Sequence, residues 1–418
     1  MSNCGLDFGT SNSTLAISHD SKASLIALSG RSPILKSAIF FDSEIREHFI
    51  GQYGIDRYLD GGQGRLMLSL KSILGSSLLN EKIAVCGKWV TYRDIIGLII
   101  KHIKDTGEAQ LNTVLTHVAL GRPVRYHDTD DTRDKLAQDA MELIMKEQGF
   151  KEVLFQYEPI AAALDYESTI SKEQIAFIID LGGGTSDFTI IKLNSDTKQS
   201  NNRKDDILAN CGLHIGGTNF DKALSLHTIM PLFGKGSMIR GMNGSKLEMP
   251  KSLYYSLTSW HLLNNLYTNK NINEIKELHS VSEQKRLVKR AIDILQNKQG
   301  HYLLQAAESS KVKLSTALDD IIDISDVEHD LQAFISREEF ESCCHNLIHD
   351  LQKTIQITLA TAGLNANQID SVFLTGGTTK IPLVCNLVRD IFPDTQFVKG
   401  DVHGSVGKGL AITAERFF

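Results

Sequence analysis

The run Ile178-Ile179-Asp180-Leu181-Gly182-Gly183-Gly184-Thr185-Ser186-Asp187-Phe188-Thr189-Ile190-Ile191 decides the fold. Its two apolar arms are short and partly β-branched, as strands require, and the turn between them is three glycines and a threonine. A second stretch repeats the design far upstream: Gly5-Leu6-Asp7-Phe8-Gly9-Thr10-Ser11-Asn12-Ser13-Thr14-Leu15-Ala16-Ile17. Each reads as a strand ending in Asp, a Gly/Thr/Ser turn and a second strand. Two hairpins of one design, far apart in sequence, imply two related lobes.

Glycine turns let backbone N–H groups approach an anion without an intervening Cβ. Here the turns join strand to strand, whereas a P-loop or dinucleotide fingerprint joins strand to helix, so those two nucleotide folds are excluded. Thr10, Ser11 and Thr185 are candidate hydroxyl donors to phosphate. Asp7 and Asp180 stand where strand gives way to turn; a carboxylate pair facing a triphosphate suits hydrated Mg²⁺ or can orient a water.

Working outward, Val114–Leu120 and Val372–Thr375 read as further strands, the first ending in Gly121-Arg122-Pro123 and the second in Gly376-Gly377. A helix is expected to start near Thr378 or Thr379, with Ile381, Val384, Leu387, Val388 and Ile391 on one face and Pro382 in its first turn. Tyr157-Glu158-Pro159-Ile160-Ala161 reads as strand, break, helix. Glu158 is there either a helix cap or a carboxylate aimed into a cleft. Strands alternating with helices give an α/β fold. Residues 36–110 and 218–303 read as insertions, the latter mostly helical with a loop over 234–249, and residues 195–206 as an exposed hairpin loop.

The totals agree. The 418 residues are 42% hydrophobic and 22% charged, with a formal net charge of -6 and no long basic run, which argues against nucleic acid as partner. The longest apolar run, near Ile95–Ile100, reads as a buried helix, so no membrane partner is expected. No signal peptide is visible at Met1, which makes a cytoplasmic protein the expectation. Six cysteines without metal-ligand spacing read as reduced core thiols.

These residues resemble the ATPase domain of the 70-kilodalton heat-shock chaperone family, and are most similar to its short bacterial, YegD-like branch. The resemblance covers nearly the whole chain. It implies a two-lobed actin-like ATPase fold, a duplicated ribonuclease-H-like α/β architecture with an insertion in each lobe. Lobe I would be residues 1–165 and lobe II residues 166–418. It implies ATP or ADP with Mg²⁺ as ligands, K⁺ among the candidate ions, and a protein partner of unknown identity.

Position by position, the resemblance gives Asp7 a role on Mg²⁺ and water, and Gly9, Thr10, Ser11 and Asn12 on the phosphates. Lys71 would reach the phosphate being cleaved, Glu158 would be the catalytic glutamate and Asp180 the carboxylate beside the attacking water. Gly182, Gly183, Gly184, Thr185 and Asp187 would form the second phosphate motif, with Gly216 and Gly217 near the nucleotide. Glu308, Lys311 and Ser315 would contact ribose and adenine, and Gly376, Gly377, Thr378 and Lys380 the adenosine. Where the family clamps adenine between two arginines, this chain has Val312 and Lys380, which stack less well on a base. Arg133 stands near the place of the family's inter-lobe coupling arginine. The sequence ending at Phe418 leaves no room for a substrate-binding domain.

The expected function is therefore slow, Mg-dependent ATP hydrolysis by a chaperone-like protein, a weak ATPase whose nucleotide state sets lobe opening and partner binding. Two alternatives stay open: a nucleotide-dependent scaffold or sensor with little turnover, and a small-molecule kinase using Asp128, Asp130 or Asp131. Those three aspartates read more simply as a solvated helix start.

Overall fold

The computed structural model describes residues 3–20, 22–127, 130–167, 170–194, 203–241, 245–398 and 404–418. Two compact units emerge. The first comprises Met1–Gly216, Leu351–Thr379 and Leu387–Phe418, and the second Gly217–Asp350 with Lys380–Asn386.

The first unit holds two sheets built on one plan. In one, β1 (Asn3–Phe8) pairs antiparallel with β2 (Asn12–His19) and parallel with β3 (His117–Arg122), which pairs parallel with β4 (Glu152–Tyr157). In the other, β5 (Gln174–Leu181) pairs antiparallel with β6 (Ser186–Leu193) and parallel with β8 (Ser371–Thr375); β7 (Ile207–Leu213) and β9 (Gln396–Val398) complete it. The repeated hairpin read from sequence is thus repeated topology. Even the turn closes alike: Gly9 N–H donates to Asn12 O at 3.0 Å, and Gly182 N–H to Thr185 O at 2.9 Å.

Helix α1 (Tyr92–Leu111) is capped by Thr91 and Asp94, and it buries Ile95, Ile96, Ile99, Ile100 and Ile103. That is the apolar run read as a buried helix. Among the described residues no helix is long and apolar enough to cross a membrane. Ahead of α1, the stretch read as an insertion forms a three-stranded sheet of Glu47–Ile50, Ala38–Asp42 and Gly64–Leu68, and a hairpin of Lys82–Val85 with Lys88–Thr91. Helix α2 (Asp131–Glu147) follows β3, and α3 (Glu158–Glu167) follows β4 directly.

Helix α4 (Ser405–Phe417) lies against β1, β2 and α3 so closely that side chains are forbidden at the contact. A Cβ on Gly5 would stand 2.2 Å from Ala411 N, and one on Gly409 1.9 Å from Ala161 O. The small residues Ala161, Ala162 and Ala163, which follow Pro159, serve this packing.

The second unit is mostly helical, as read. It includes helices Gly217–Leu224, Lys285–Gln296 and Gly300–Leu314, and two hairpins, Met238–Arg240 with Lys246–Glu248 and Asp319–Asp323 with Gln332–Ser336. The first hairpin occupies the stretch read as a loop; its residues 242–244 lie outside the described ones.

Three expectations are corrected. The helix expected from Thr378 begins at Pro382, because Gly377–Lys380 form a 3₁₀ turn first. Of the six free cysteines, Cys4 and Cys344 are buried and the other four half-buried. Of the loop read over 195–206, residues 195–202 lie outside the described ones, but Arg203 is buried. Its guanidinium donates to both carboxylate oxygens of Glu167 at 2.7 Å and to Asp206 at 2.7 Å. A charge paired this fully tolerates burial.

Candidate phosphate-binding and catalytic site

Side chains converge in the first unit where the two hairpin turns meet. Strand β3 delivers Gly121, and β4 runs into α3 with Glu158 as its first residue. Gly121 leaves the space Glu158 uses: a Cβ there would stand 3.2 Å from Glu158 Cγ. Lys71 sits in a 3₁₀ turn, Leu70–Ile73, that follows Ser69 in the left-handed region at φ 58°. A serine is uncommon there, and such strain concentrates at functional sites.

Lys71 Nζ donates to Glu158 Oε1 at 2.8 Å, and the two side chains are only 11% and 13% exposed. Burial alone would depress the lysine, but Glu158 above all, with Tyr126 and Asp7, outweighs it and holds the ammonium above the ordinary lysine range. Asp7 is pushed up to about 7, first by burial and then by Glu158, with Lys71 opposing. Asp180 is pushed up to about 6 by burial and Glu158. Three carboxylates therefore crowd one ammonium.

The turns touch. A Cβ on Gly183 would stand 2.0 Å from Ser11 Oγ, and one on Gly216 2.5 Å from Gly184 N. Gly376, at φ 81°, lies against the end of β5, where a Cβ would meet Leu181 O at 2.3 Å and Asp180 Oδ1 at 2.7 Å. Thr378 Oγ1 donates to Gly182 O at 2.8 Å. Gly184 differs: a Cβ there would find nothing nearer than the Thr10 methyl at 3.9 Å. Packing does not require glycine at that position, whereas close approach of an anion to the turn's N–H groups would.

The donor set also fits a hydrated divalent cation. Asp7 and Asp180, raised by burial and by the neighbouring Glu158, are carboxylates that such a cation would relieve. Among the described residues no group of three or more His, Cys, Asp or Glu is spaced to ligate a metal directly.

Asp7, Gly9, Thr10, Ser11, Asn12, Lys71, Glu158, Asp180, Gly182, Gly183, Gly184, Thr185, Asp187, Gly216, Gly376 and Thr378 all lie in the first unit; Gly377 opens the 3₁₀ turn that carries Thr378. Gly217, Glu308, Lys311, Ser315 and Lys380 belong to the second. There Lys311, on the helix Gly300–Leu314, pairs with Asp221 at 2.8 Å and donates to Gly217 O at 3.3 Å. Ser315 Oγ bonds back to Lys311 O at 3.1 Å, and Val312 is 61% exposed.

Sequence reasoning missed Tyr126, whose phenol burial pushes up to about 12, with Lys71 and Arg122 opposing and Glu158 and Asp134 adding to the rise. It also missed the work of Arg122. That guanidinium lies 5.3 Å from the ring centres of both Tyr126 and Tyr157 and pairs with Asp134 at 2.9 Å. Arg133 reaches Gly75 O at 3.4 Å, and His127 bonds Leu74 O at 2.8 Å, so the turn bearing Lys71 is tied to the segment after β3. Pro123 is the one local signal near Tyr126. Asp128 lies outside the described residues, while Asp130 caps α2, its carboxylate accepting from Arg133 N–H, and Asp131 pairs with Arg125.

Comparison with known proteins gives the class. The Hsp70 protein family profile matches residues 77–246 and 276–415, more than half of the chain, so this protein belongs to that family. The family carries the two-lobed actin-like ATPase fold and comprises chaperone-type ATP-binding proteins that use ATP and ADP with Mg²⁺. A curated relative is the chaperone protein DnaK of Thermosipho melanesiensis. It is 24% identical over 420 residues, an alignment covering 98% of this chain and 58% of the relative. The chain thus spans little more than half the length of that relative.

Proposed function

We propose that this protein binds ATP with Mg²⁺ and hydrolyses it slowly, its nucleotide state governing a protein partner. The observation that carries the reading is the buried Lys71–Glu158 pair, set with Asp7 and Asp180 beside two touching glycine turns. The backbone N–H groups and hydroxyls of Thr10, Ser11 and Thr185 bind phosphate oxygens. Lys71 offsets charge that grows on the transferred phosphoryl group. Glu158 and Asp180 hold a water in line for attack, and Asp7 anchors the hydrated metal. Mg²⁺, when bound, neutralises phosphate charge. Catalysis here is positioning and charge neutralisation, with no covalent step on the protein. Glu308, Lys311 and Ser315 are proposed adenosine contacts, in a chain divided into lobes at residues 1–165 and 166–418.

The test is single-turnover cleavage of ATP with Mg²⁺ and K⁺. Glu158→Gln and Lys71→Ala should each slow cleavage about 10²–10³-fold, the usual size for a lost acid/base or charge-stabilising group. Cleavage as fast as wild type in both would sink the assignment. A second reading, a nucleotide sensor with little turnover, is favoured by one observation: the exposed Val312 offers no flat surface to stack a base. Tight nucleotide binding without cleavage would select it.

A further inference from the structure

In the hairpin Asp319–Asp323 with Gln332–Ser336, in the second unit, the first strand has one edge paired to the second and one open edge. Arg337 N–H bonds Leu318 O at 2.8 Å, and Ile324 N–H bonds Leu331 O at 2.9 Å. Hydrogen-bonded and non-bonded pairs alternate along an antiparallel ladder. With Ile321 opposite Phe334, the bonded positions are therefore the even ones, 318 to 324. The N–H and C=O groups of Asp319, Ile321 and Asp323 point the other way, to an edge where no described strand pairs.

That edge forms one wall of a groove of about 370 Å³. The helix Gly300–Leu314 forms the other, through Gln305, Ala306, Ser309 and Ser310. Ser310 is fully buried, yet among the described residues its hydroxyl has no hydrogen-bond partner. Three carboxylates line the groove, Asp320, Asp323 and Asp326, against one cation, Lys313, which is already paired with Asp320. On the outer face Ile321 is 58% and Phe334 63% exposed.

We propose that this edge accepts a basic, extended peptide segment as a third strand. An unpaired edge is a template for such addition, and backbone hydrogen bonds supply its affinity. Three outward residues span roughly 13 Å, room for about five residues of a partner. The charges choose the occupant. A second copy of the same strand would set Asp against Asp, which is destabilising. A segment with cations opposite Asp319 and Asp323, an apolar residue opposite Ile321 and small residues turned toward Ala306 and Ser309 is complementary.

The test uses the full chain and a fluorescent synthetic peptide. Lysine and valine alternate on one face of that peptide, with threonine at the positions between, and anisotropy is read at physiological salt. Binding should weaken at least tenfold in Ile321→Pro, which deletes one outward N–H without touching the hairpin's own bonds, and should also weaken in Asp323→Lys. The same peptide N-methylated at alternate residues should fail against the unaltered protein, which decides the matter even if the proline variant misfolds. Absence of binding, equal binding of a glutamate-for-lysine peptide, or binding indifferent to both proline and N-methylation would overturn the proposal, the last by reducing it to diffuse charge attraction.

Discussion

The two hairpins share a turn and differ in what surrounds it. Beside β1 runs β3, and beyond that β4, whose end brings in Glu158 and with it Lys71. Beside β5 runs β8, whose end brings in Gly376 and Thr378, a positive-φ glycine and a hydroxyl bonded to the turn. The first half thus carries ionisable chemistry and the second a backbone cradle. Asp7 and Asp180 are equivalent by topology, and both are pushed up by burial first and by Glu158 second. A carboxylate delivered beside β1 thus acts on the strand-end aspartates of both hairpins.

That division predicts a division of phenotypes. The largest effect belongs to Glu158→Gln, which should lower single-turnover cleavage about 10²–10³-fold while leaving ADP affinity within a few-fold. A loss of affinity as large as the loss of rate would break the contrast between the halves.

Next comes Gly376→Ala. The new methyl would fall 2.3 Å from a backbone oxygen at a φ that L-residues resist, so a loss of about 2–4 kcal/mol in denaturant unfolding is expected, with nucleotide affinity falling alongside. Gly183→Ala should cost much less, since the atom it meets is the mobile Ser11 hydroxyl.

Smaller, and opposite in sign, is Asp7→Asn. Both aspartates titrate in the folded protein above the ordinary 3.8. Between about pH 4 and pH 7 the folded state holds protons that the unfolded chain has released. The stability they contribute is full below pH 4 and lost as pH rises through 6 and 7. Removing the charge should therefore stabilise the nucleotide-free protein at pH 8, by about 1–3 kcal/mol in thermal unfolding, and weaken Mg-nucleotide binding. An unchanged or lower melting temperature at pH 8 would remove the electrostatic explanation.

The same linkage predicts that Mg-nucleotide binding at pH 6.5 releases protons, because the cation favours the carboxylates. Calorimetry in buffers of different ionisation enthalpy reads this directly, and the release should shrink in both Asp7→Asn and Asp180→Asn. Undiminished release in either variant would remove that aspartate from the titrating set.

What was legible follows from how far each feature reaches. A glycine turn between β-branched arms is decided within a dozen residues, so both hairpins, Asp7, Asp180 and the repeated plan could be read directly. Glu158 announced itself by standing before Pro159, where a cap and a catalytic carboxylate look the same. Lys71 had no local mark, since its partner is 87 residues away; only resemblance to a family supplied its role. Tyr126 and Arg122 act through a stack of rings and a carboxylate from three separate segments, which no spacing encodes. Arg203 sat in a polar run that reads as solvated until Glu167 is brought against it.

The packing of α4 on β1 has a consequence for how the protein is made. Asn3 donates to Ala414 O across 411 residues, and Gly5 is shaped for a helix that is made after the strands of both sheets. At roughly 5–20 residues per second, the first hairpin waits about 20–80 s for its partner. Until then a strand rich in buried apolar side chains stands without that cover, although its sheet partners β2 and β3 are already made once synthesis reaches Arg122.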